Sequence, residues 1–298
     1  MPAAEHTIDE ALIRALLRTQ GAAIPDAAGL PLRLLTTGWD NELWRLGDAY
    51  VVRLPRRAIA APLVRHEHRW LPEVAARVEP TGVHVPVPLV CGEPGEGYPW
   101  PWTVAAWTDG DAALTVPRGI RSSWAVPLAH ALRALHTPAP PDHPVNPFRG
   151  VPLAVRADRF AERLASLRAR PDADGARLDA AADAWRDALA AEPWNRAPVW
   201  IHGDLHPGNL VAQGRTLRAI IDFGDITAGD PAYDLAIGWL AFDAEGRAAF
   251  VDELADVDAA TWRRARGWAA AVTLILLDAS DDNPAYLALG RECLAEFS

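Results

Sequence analysis

Cysteine is scarce in this chain: Cys91 and Cys293 are the only two in 298 residues, and they lie far apart. They have neither metal-ligand spacing nor the density of a disulfide scaffold, so both read as reduced thiols in a cytosolic protein. Long apolar runs are missing too. The longest helical apolar patch, Trp268–Leu277, contains Thr273 and falls short of the ~20 residues a membrane-spanning helix needs. The opening residues, Met1-Pro2-Ala3-Ala4-Glu5-His6, lack the basic-then-apolar order of a secretory signal. The expected location is the cytoplasm, with no membrane partner. Positive charge is in deficit: 29 Lys and Arg stand against 39 Asp and Glu, a net charge of −10. That balance argues against nucleic acid as a partner and is compatible with a cationic small molecule. No internal repeat or low-complexity tract is evident beyond a general richness in alanine.

What is present is a chain of one large or two modest domains, half of it hydrophobic and so able to fill a packed interior. Its thirteen tryptophans can wall an aromatic pocket, but core packing is the expected use. The most informative stretch is 199–225. It holds His202-Gly203-Asp204 with Asn209 five residues after the Asp, then Asp222-Phe223-Gly224. The apolar runs Val199-Trp200-Ile201, Leu210-Val211 and Ala219-Ile220-Ile221 read as short buried strands. A strand, tight loop, strand, turn, strand path folds Asp204, Asn209 and Asp222 into one small volume. Two carboxylates and a carboxamide converging there suit Mg²⁺, a hard cation that takes oxygen ligands.

The Asp–Asn spacing and the Asp-Phe-Gly are those of the kinase signature, with Gly203 where protein kinases carry Arg. On that template Asp204 is the catalytic residue that orients an acceptor hydroxyl and takes its proton, and Asn209 and Asp222 hold the metal. A plain β-hairpin whose Asp, Asn and Gly only satisfy turn chemistry is the competing reading. Two motifs in register weigh against it.

The segments 202–209, 221–225 and 229–236 (Gly-Asp-Pro-Ala-Tyr-Asp-Leu-Ala) resemble the aminoglycoside phosphotransferase family of antibiotic kinases. That family includes macrolide and hygromycin kinases and is related to choline and homoserine kinases. The resemblance implies a fold and a reaction type and leaves the substrate open. The fold it implies is α+β: a bilobal protein-kinase-like structure with a small β-rich N-lobe, residues 1–107, and a larger helical C-lobe, residues 108–298, the nucleotide lying between them. It also implies ATP or GTP and Mg²⁺ as cofactors.

Along the N-terminal part, Thr7–Gln20 reads as an amphipathic helix with Thr7 as N-cap and Gly21 as stop. Leu32–Thr36, Asn41–Leu46 and Ala49–Leu54 read as strands. Gly38, in the turn between the first two, covers the nucleotide phosphates in a kinase-like lobe or is an ordinary hairpin glycine. Arg53 ends the third strand where a kinase carries Lys. Arg and Lys are not interchangeable, and Arg56 or Arg57 can share the phosphate contact. Val64–Ala76 reads as a helix that Pro72 bends or ends early. Its Glu67 is the candidate ion-pair partner of Arg53, the alternative being a surface glutamate. Val83–Gly92 is Pro-interrupted and reads as a strand with edges at Pro86 and Pro88. Tyr98–Trp107 then leads into a hinge where the backbone of Ala105 to Trp107 can pair with a purine edge.

Thr108-Asp109-Gly110-Asp111 is a linker signal. Helices are expected over Ser123–His136, Arg156–Ala169, Gly175–Ala191, Tyr233–Ala241, Ala244–Ala255, Ala259–Asp278 and Asn283–Phe297, with a Pro-rich loop from Pro138 to Pro152. By the resemblance, the helices after that loop form much of the acceptor pocket; their acidic residues Glu162, Asp179, Asp183 and Asp187 line it or are solvated. Asp230 and Asp234 contact the acceptor or cap a helix and brace the loop. Glu292, with Asp278, Asp281, Asp282 and Glu296, makes an acidic group that either faces an amine-bearing acceptor or is solvated.

Together these readings give a small-molecule O-phosphotransferase, a monomer or homodimer, acting on an antibiotic-like acceptor: an aminoglycoside, a macrolide or a nucleoside antibiotic. The alternatives are a metabolic kinase for a sugar, amino alcohol or homoserine-like hydroxyl, and a degenerate kinase that only binds nucleotide.

Overall fold

The computed structural model describes residues 3–280 and 283–297. The chain forms two units, Met1–Arg77 with His84–Asp109, and Val78–Val83 with Gly110–Ser298.

The first unit is built on one antiparallel sheet. Its strands are β1 (Leu32–Thr37), β2 (Asn41–Leu46), β3 (Tyr50–Pro55), β4 (Pro88–Gly92) and β5 (Trp102–Ala106), in the order β1-β2-β3-β5-β4. β4, the proline-flanked strand, lies at an edge, where a missing N–H breaks no ladder. Helix α1 (Glu10–Gln20) is capped by Asp9 and not by Thr7: the Asp9 carboxylate accepts the N–H of Leu12 at 2.8 Å. Its buried face, Ile13, Leu16 and Leu17, joins Leu46, Val52, Leu54, Trp102 and Val104 in one core. Helix α2 (Ala61–Val78) continues past Pro72, so the proline does not end it early. An interior proline costs about 3 kcal/mol. Val64, Leu71, Val74 and Val78 are buried on this helix, and each such side chain returns about 1.5–3 kcal/mol, so packing outweighs the lost hydrogen bond.

The second unit is mainly helical. Its elements are β6 (Asp111–Ala112), α3 (Arg118–Arg121), α4 (Ala125–Leu135), α5 (Ala157–Arg168), α6 (Gly175–Leu189), β7 (Val199–Ile201), β8 (Leu210–Gln213), β9 (Thr216–Ile220), β10 (Thr227–Gly229), α7 (Ala232–Leu235), α8 (Ile237–Ala241), α9 (Ala244–Glu253), α10 (Ala259–Asp278) and α11 (Pro284–Leu294). The expected helix from Tyr233 to Ala241 is two short ones, α7 and α8. The long, apolar α10 packs on α5, α6, α7 and α11 and forms the spine of this unit. Trp124 and Trp200 are fully buried, and Trp185 and Trp268 meet edge-to-face at 6.4 Å, so these tryptophans serve as core. Two small sheets carry the informative stretch: β7 pairs with β10, while β8 lies between β6 and β9. The loop 202–209 leaves one sheet and enters the other, so both its ends are anchored.

Candidate active site

The loop owes its shape to two residues that touch no solvent. His202, fully buried, accepts the N–H of Asp204 on Nδ1 at 3.1 Å, so its proton lies on Nε2, which donates to the carbonyl of Ile221 at 2.9 Å. One imidazole thus ties the loop to the end of β9, beside Asp222. Asp234, also fully buried, accepts the N–H of His202 at 2.7 Å and of Gly203 at 3.1 Å, and lies 3.1 Å from Nε2 of His136. Gly203 has φ +84°, and a Cβ there would stand 2.4 Å from the Asp225 carbonyl oxygen. An arginine, as in protein kinases, has no room at this position.

Asp204 and Asn209 are in contact. The Asn209 amide donates from Nδ2 to the Asp204 carbonyl oxygen at 2.8 Å and reaches its Oδ2 at 3.5 Å. Backbone bonds extend the cluster, because Ile221 N–H donates to the Asn209 carbonyl at 2.9 Å. Asp222 follows in the left-handed region, φ 62° and ψ 63°, a costly conformation for a residue with a Cβ, of the kind that gathers at functional sites. With Nδ2 of Asn209 donated to the protein, its side-chain Oδ1 is the Asn209 atom that could face a cation. Together with the exposed Asp222 carboxylate it offers hard oxygen donors of the kind Mg²⁺ takes. Among the described residues no group of three or more His, Cys, Asp or Glu can hold a metal alone.

Arg149, in the Pro-rich loop, is the site residue that sequence reasoning missed. Its Nη2 donates to Asp204 Oδ1 at 2.8 Å and lies 3.6 Å from Asp225 Oδ2, and its Nη1 donates to the Tyr233 hydroxyl. Nothing around Asn146-Pro147-Phe148-Arg149 in the sequence points to a carboxylate 55 positions on. Burial disfavours charge on Asp204, but the His206 imidazole 3.6 Å away and the Arg149 guanidinium prevail and hold its carboxyl far below the usual range. Asp225 goes the other way: burial, with Asp204 and Asp222 nearby, raises it against the pull of Arg149. Tyr286, edge-on to His206 at 5.4 Å, has its phenol pushed up to about 12 by burial and by the charges of Asp204 and Asp222.

The acidic residues considered for the acceptor are bonded within the fold. Asp230, 7 % exposed, is paired with Arg264 of α10 at 2.6 Å and accepts the Ala232 N–H at 3.0 Å in the turn before α7. Asp234 is spent on the loop. Glu292 pairs with Arg121 at 3.1 Å and Arg118 at 3.7 Å, Glu296 with Arg247 at 2.7 Å, and Asp278 with Arg170 at 3.3 Å. Asp281 and Asp282 lie outside the described residues. Glu162, Asp179, Asp183 and Asp187 form exposed pairs with Arg159, Arg168, Arg186 and Arg263.

In the first unit Arg53 Nη1 donates to both oxygens of the buried Glu67 at 2.8 Å. The Asn41 amide oxygen, turned to face Arg53, accepts from Nη2 at 3.0 Å and Nε at 3.2 Å. The chain's 29 cationic Lys and Arg positions are all arginine, so the exchange at position 53 is part of a chain-wide pattern. Arg56 donates to the Gly38 carbonyl at 2.9 Å and Arg57 pairs with Asp40, so both brace the β1–β2 turn. The Trp107 N–H is already donated to the Ala49 carbonyl at 2.8 Å, and Ala105 pairs with Val51 in the same ladder. By the alternation of an antiparallel ladder, it is Ala106 whose N–H and C=O point away from β3, to the side where β4 ends at Pro88. Of the expected stretch Ala105–Trp107, the Trp107 N–H is therefore engaged within the sheet, while the backbone of Ala106 is turned away from β3.

The model of the phosphotransferase enzyme family matches residues 31–268. No curated protein sequence matches the chain. Solved structures do. The GDP complex of wild-type aminoglycoside 2'-phosphotransferase-IIIa superposes with a TM-score of 0.69 at 19 % identity, over 97 % of this chain and 98 % of that one. Macrolide 2'-phosphotransferase MphH from Brachybacterium faecium does so with 0.61 at 20 % identity, over 97 % and 98 %. The streptomycin–ATP ternary complex of APH(2'')-IIa gives 0.57 at 16 % identity, over 96 % and 95 %. These likenesses show the kinase-like fold, a β-sheet N-terminal region followed by a helical C-terminal one. The chain belongs to the phosphotransferase enzyme family and is a small-molecule kinase.

Proposed function

We propose that the chain moves the γ-phosphate of ATP or GTP, with Mg²⁺, to a hydroxyl of an antibiotic-like small molecule and so gives resistance to it. The observation that carries this reading is the contact of Asp204 with Asn209, with Asp222 held beside them through Ile221. Asp204 accepts the acceptor's hydroxyl proton as its oxygen attacks. Asn209 and Asp222 are the residues that would hold Mg²⁺, which when bound neutralises and orients the phosphate oxygens. Arg53, kept in place by Glu67 and Asn41, supplies positive charge for the nucleotide phosphates. Catalysis is then mostly positioning and charge neutralisation. GDP in one relative and ATP in another support a purine nucleotide donor. Such a donor and two free thiols suit a cytoplasmic enzyme.

The paired state of Asp230, Asp234 and Glu292 favours an acceptor with little positive charge. So do Val145, Phe148 and Val155, exposed apolar side chains on the segment that carries Arg149 to Asp204. A macrolide or a nucleoside antibiotic meets both conditions better than a polycationic aminoglycoside does. The test is mass spectrometry for the gain of one phosphate on erythromycin, a nucleoside antibiotic, kanamycin, choline and homoserine, with ATP and GTP in turn. Phosphorylation of an antibiotic is the expected result. Phosphorylation of choline or homoserine alone overturns the antibiotic reading.

A further inference from the structure

The two carboxylate oxygens of Asp204 are not equivalent. Oδ1 accepts a charged N–H from Arg149 at 2.8 Å, whereas the contacts of Oδ2 among the described residues are long ones, Asn209 Nδ2 at 3.5 Å and His206 Nε2 at 3.6 Å. His206 accepts the Gly208 N–H on Nδ1 at 3.0 Å, so its Nε2 carries a proton and faces Oδ2 as a weak donor. Arg149 is itself held from several sides. It reaches Asp225 at 3.6 Å, donates to the Tyr233 hydroxyl and lies 5.5 Å above the Tyr233 ring. Its segment is pinned through Asn146, which donates to Asp225 Oδ1 at 2.7 Å and accepts the Phe148 N–H at 2.9 Å. A planar guanidinium can bridge two carboxylates in fixed geometry, which an ammonium on a flexible stem does not do.

We propose that Arg149 is a positioning residue of the transfer reaction, locking the Asp204 carboxylate through Oδ1 so that Oδ2 is the atom that meets the acceptor hydroxyl. The inference rests on the reading of Asp204 given above. In the step, the acceptor oxygen bonds to the γ-phosphorus as the bond from that phosphorus to the β–γ bridging oxygen breaks. The nucleoside diphosphate leaves with the electron pair, and the hydroxyl proton passes to Oδ2. Arg149 keeps its bond to Oδ1 and exchanges no proton. Its work is geometric, and a misplacement on the order of 1 Å in such a site costs about a hundredfold in rate.

The test compares R149A and R149K with the wild type and with D204A. Turnover of Mg·ATP and Mg·GTP is followed with erythromycin and kanamycin, and with water alone as acceptor. R149A is expected to lose about a hundredfold in kcat while nucleotide Kd stays within about twofold, and added guanidinium ion at non-denaturing concentration restores part of the loss. In the D204A background R149A costs nothing further, because residues acting as one unit are not additive. R149K keeps the charge but loses the planar fork and some reach, covers the case in which R149A fails to fold, and still turns over more slowly than the wild type. An active wild type whose R149A and R149K variants keep kcat, or an equal loss with and without Asp204, overturns this inference alone. A wild type that turns over neither nucleotide overturns the reading of Asp204 and this inference with it.

Discussion

The carboxylate of Asp234 receives the backbone N–H of His202 at 2.7 Å, entirely out of solvent. With the second bond from Gly203 and the contact with His136, this one side chain satisfies the loop's inward-facing amides. Asp234→Ala strands two buried donors, each costing about 1–3 kcal/mol. The expected result is a loss of about 2–5 kcal/mol in denaturant unfolding, and a fall in kcat larger than any change in nucleotide affinity.

Stability should carry a pH signature from a helix cap. Asp243 accepts the Gly246 N–H at 2.9 Å and the Ser122 hydroxyl at 2.7 Å, and these bonds hold its carboxyl below the ordinary carboxylate value. A depressed carboxyl contributes stability that is full above its unfolded value, about 3.9, and is lost as pH falls towards the folded one. Asp243→Ala is therefore expected to cost about 1 kcal/mol at neutral pH. The gap between variant and wild type in urea melts narrows as pH drops below the unfolded value.

Metal dependence would separate the roles proposed for Asn209 and Asp222 from the one proposed for Asp204. Chelation of divalent ions is expected to abolish turnover, and Asp222→Asn and Asn209→Ala to raise the Mg²⁺ concentration needed for half-maximal rate by about tenfold or more. A Mg²⁺ titration of nucleotide turnover in the three proteins measures this. Unchanged Mg²⁺ requirements in both variants contradict the assignment.

What the sequence reveals divides along lines of locality. The bounds of β2 and α10 agree with pattern reading, because hydrophobic period and capping act within a few residues. Asp204 and Asn209 are legible for the same reason: they sit five apart on one loop. Arg149 reaches Asp204 across 55 positions and Arg264 reaches Asp230 across 34. An arginine in a Pro-rich loop looks the same from its neighbours whether it is solvated or bridges two acids. Pro72 does not end α2 because a local rule meets a stronger tertiary effect, the burial of Leu71 and Val74. The acidic residues of α11 and of the turn before α7 carry no local mark of the arginines that engage them.

The most direct measurement is made on Asp204→Ala, with turnover and nucleotide affinity determined on the same preparation. On the roles proposed above, loss of a positioned proton acceptor costs about 10²–10⁴-fold in rate, whereas nucleotide binding, assigned there to Arg53, Asn209 and Asp222, stays near that of the wild type. Turnover within a few-fold of wild type, or nucleotide binding lost together with it, contradicts the role assigned to Asp204.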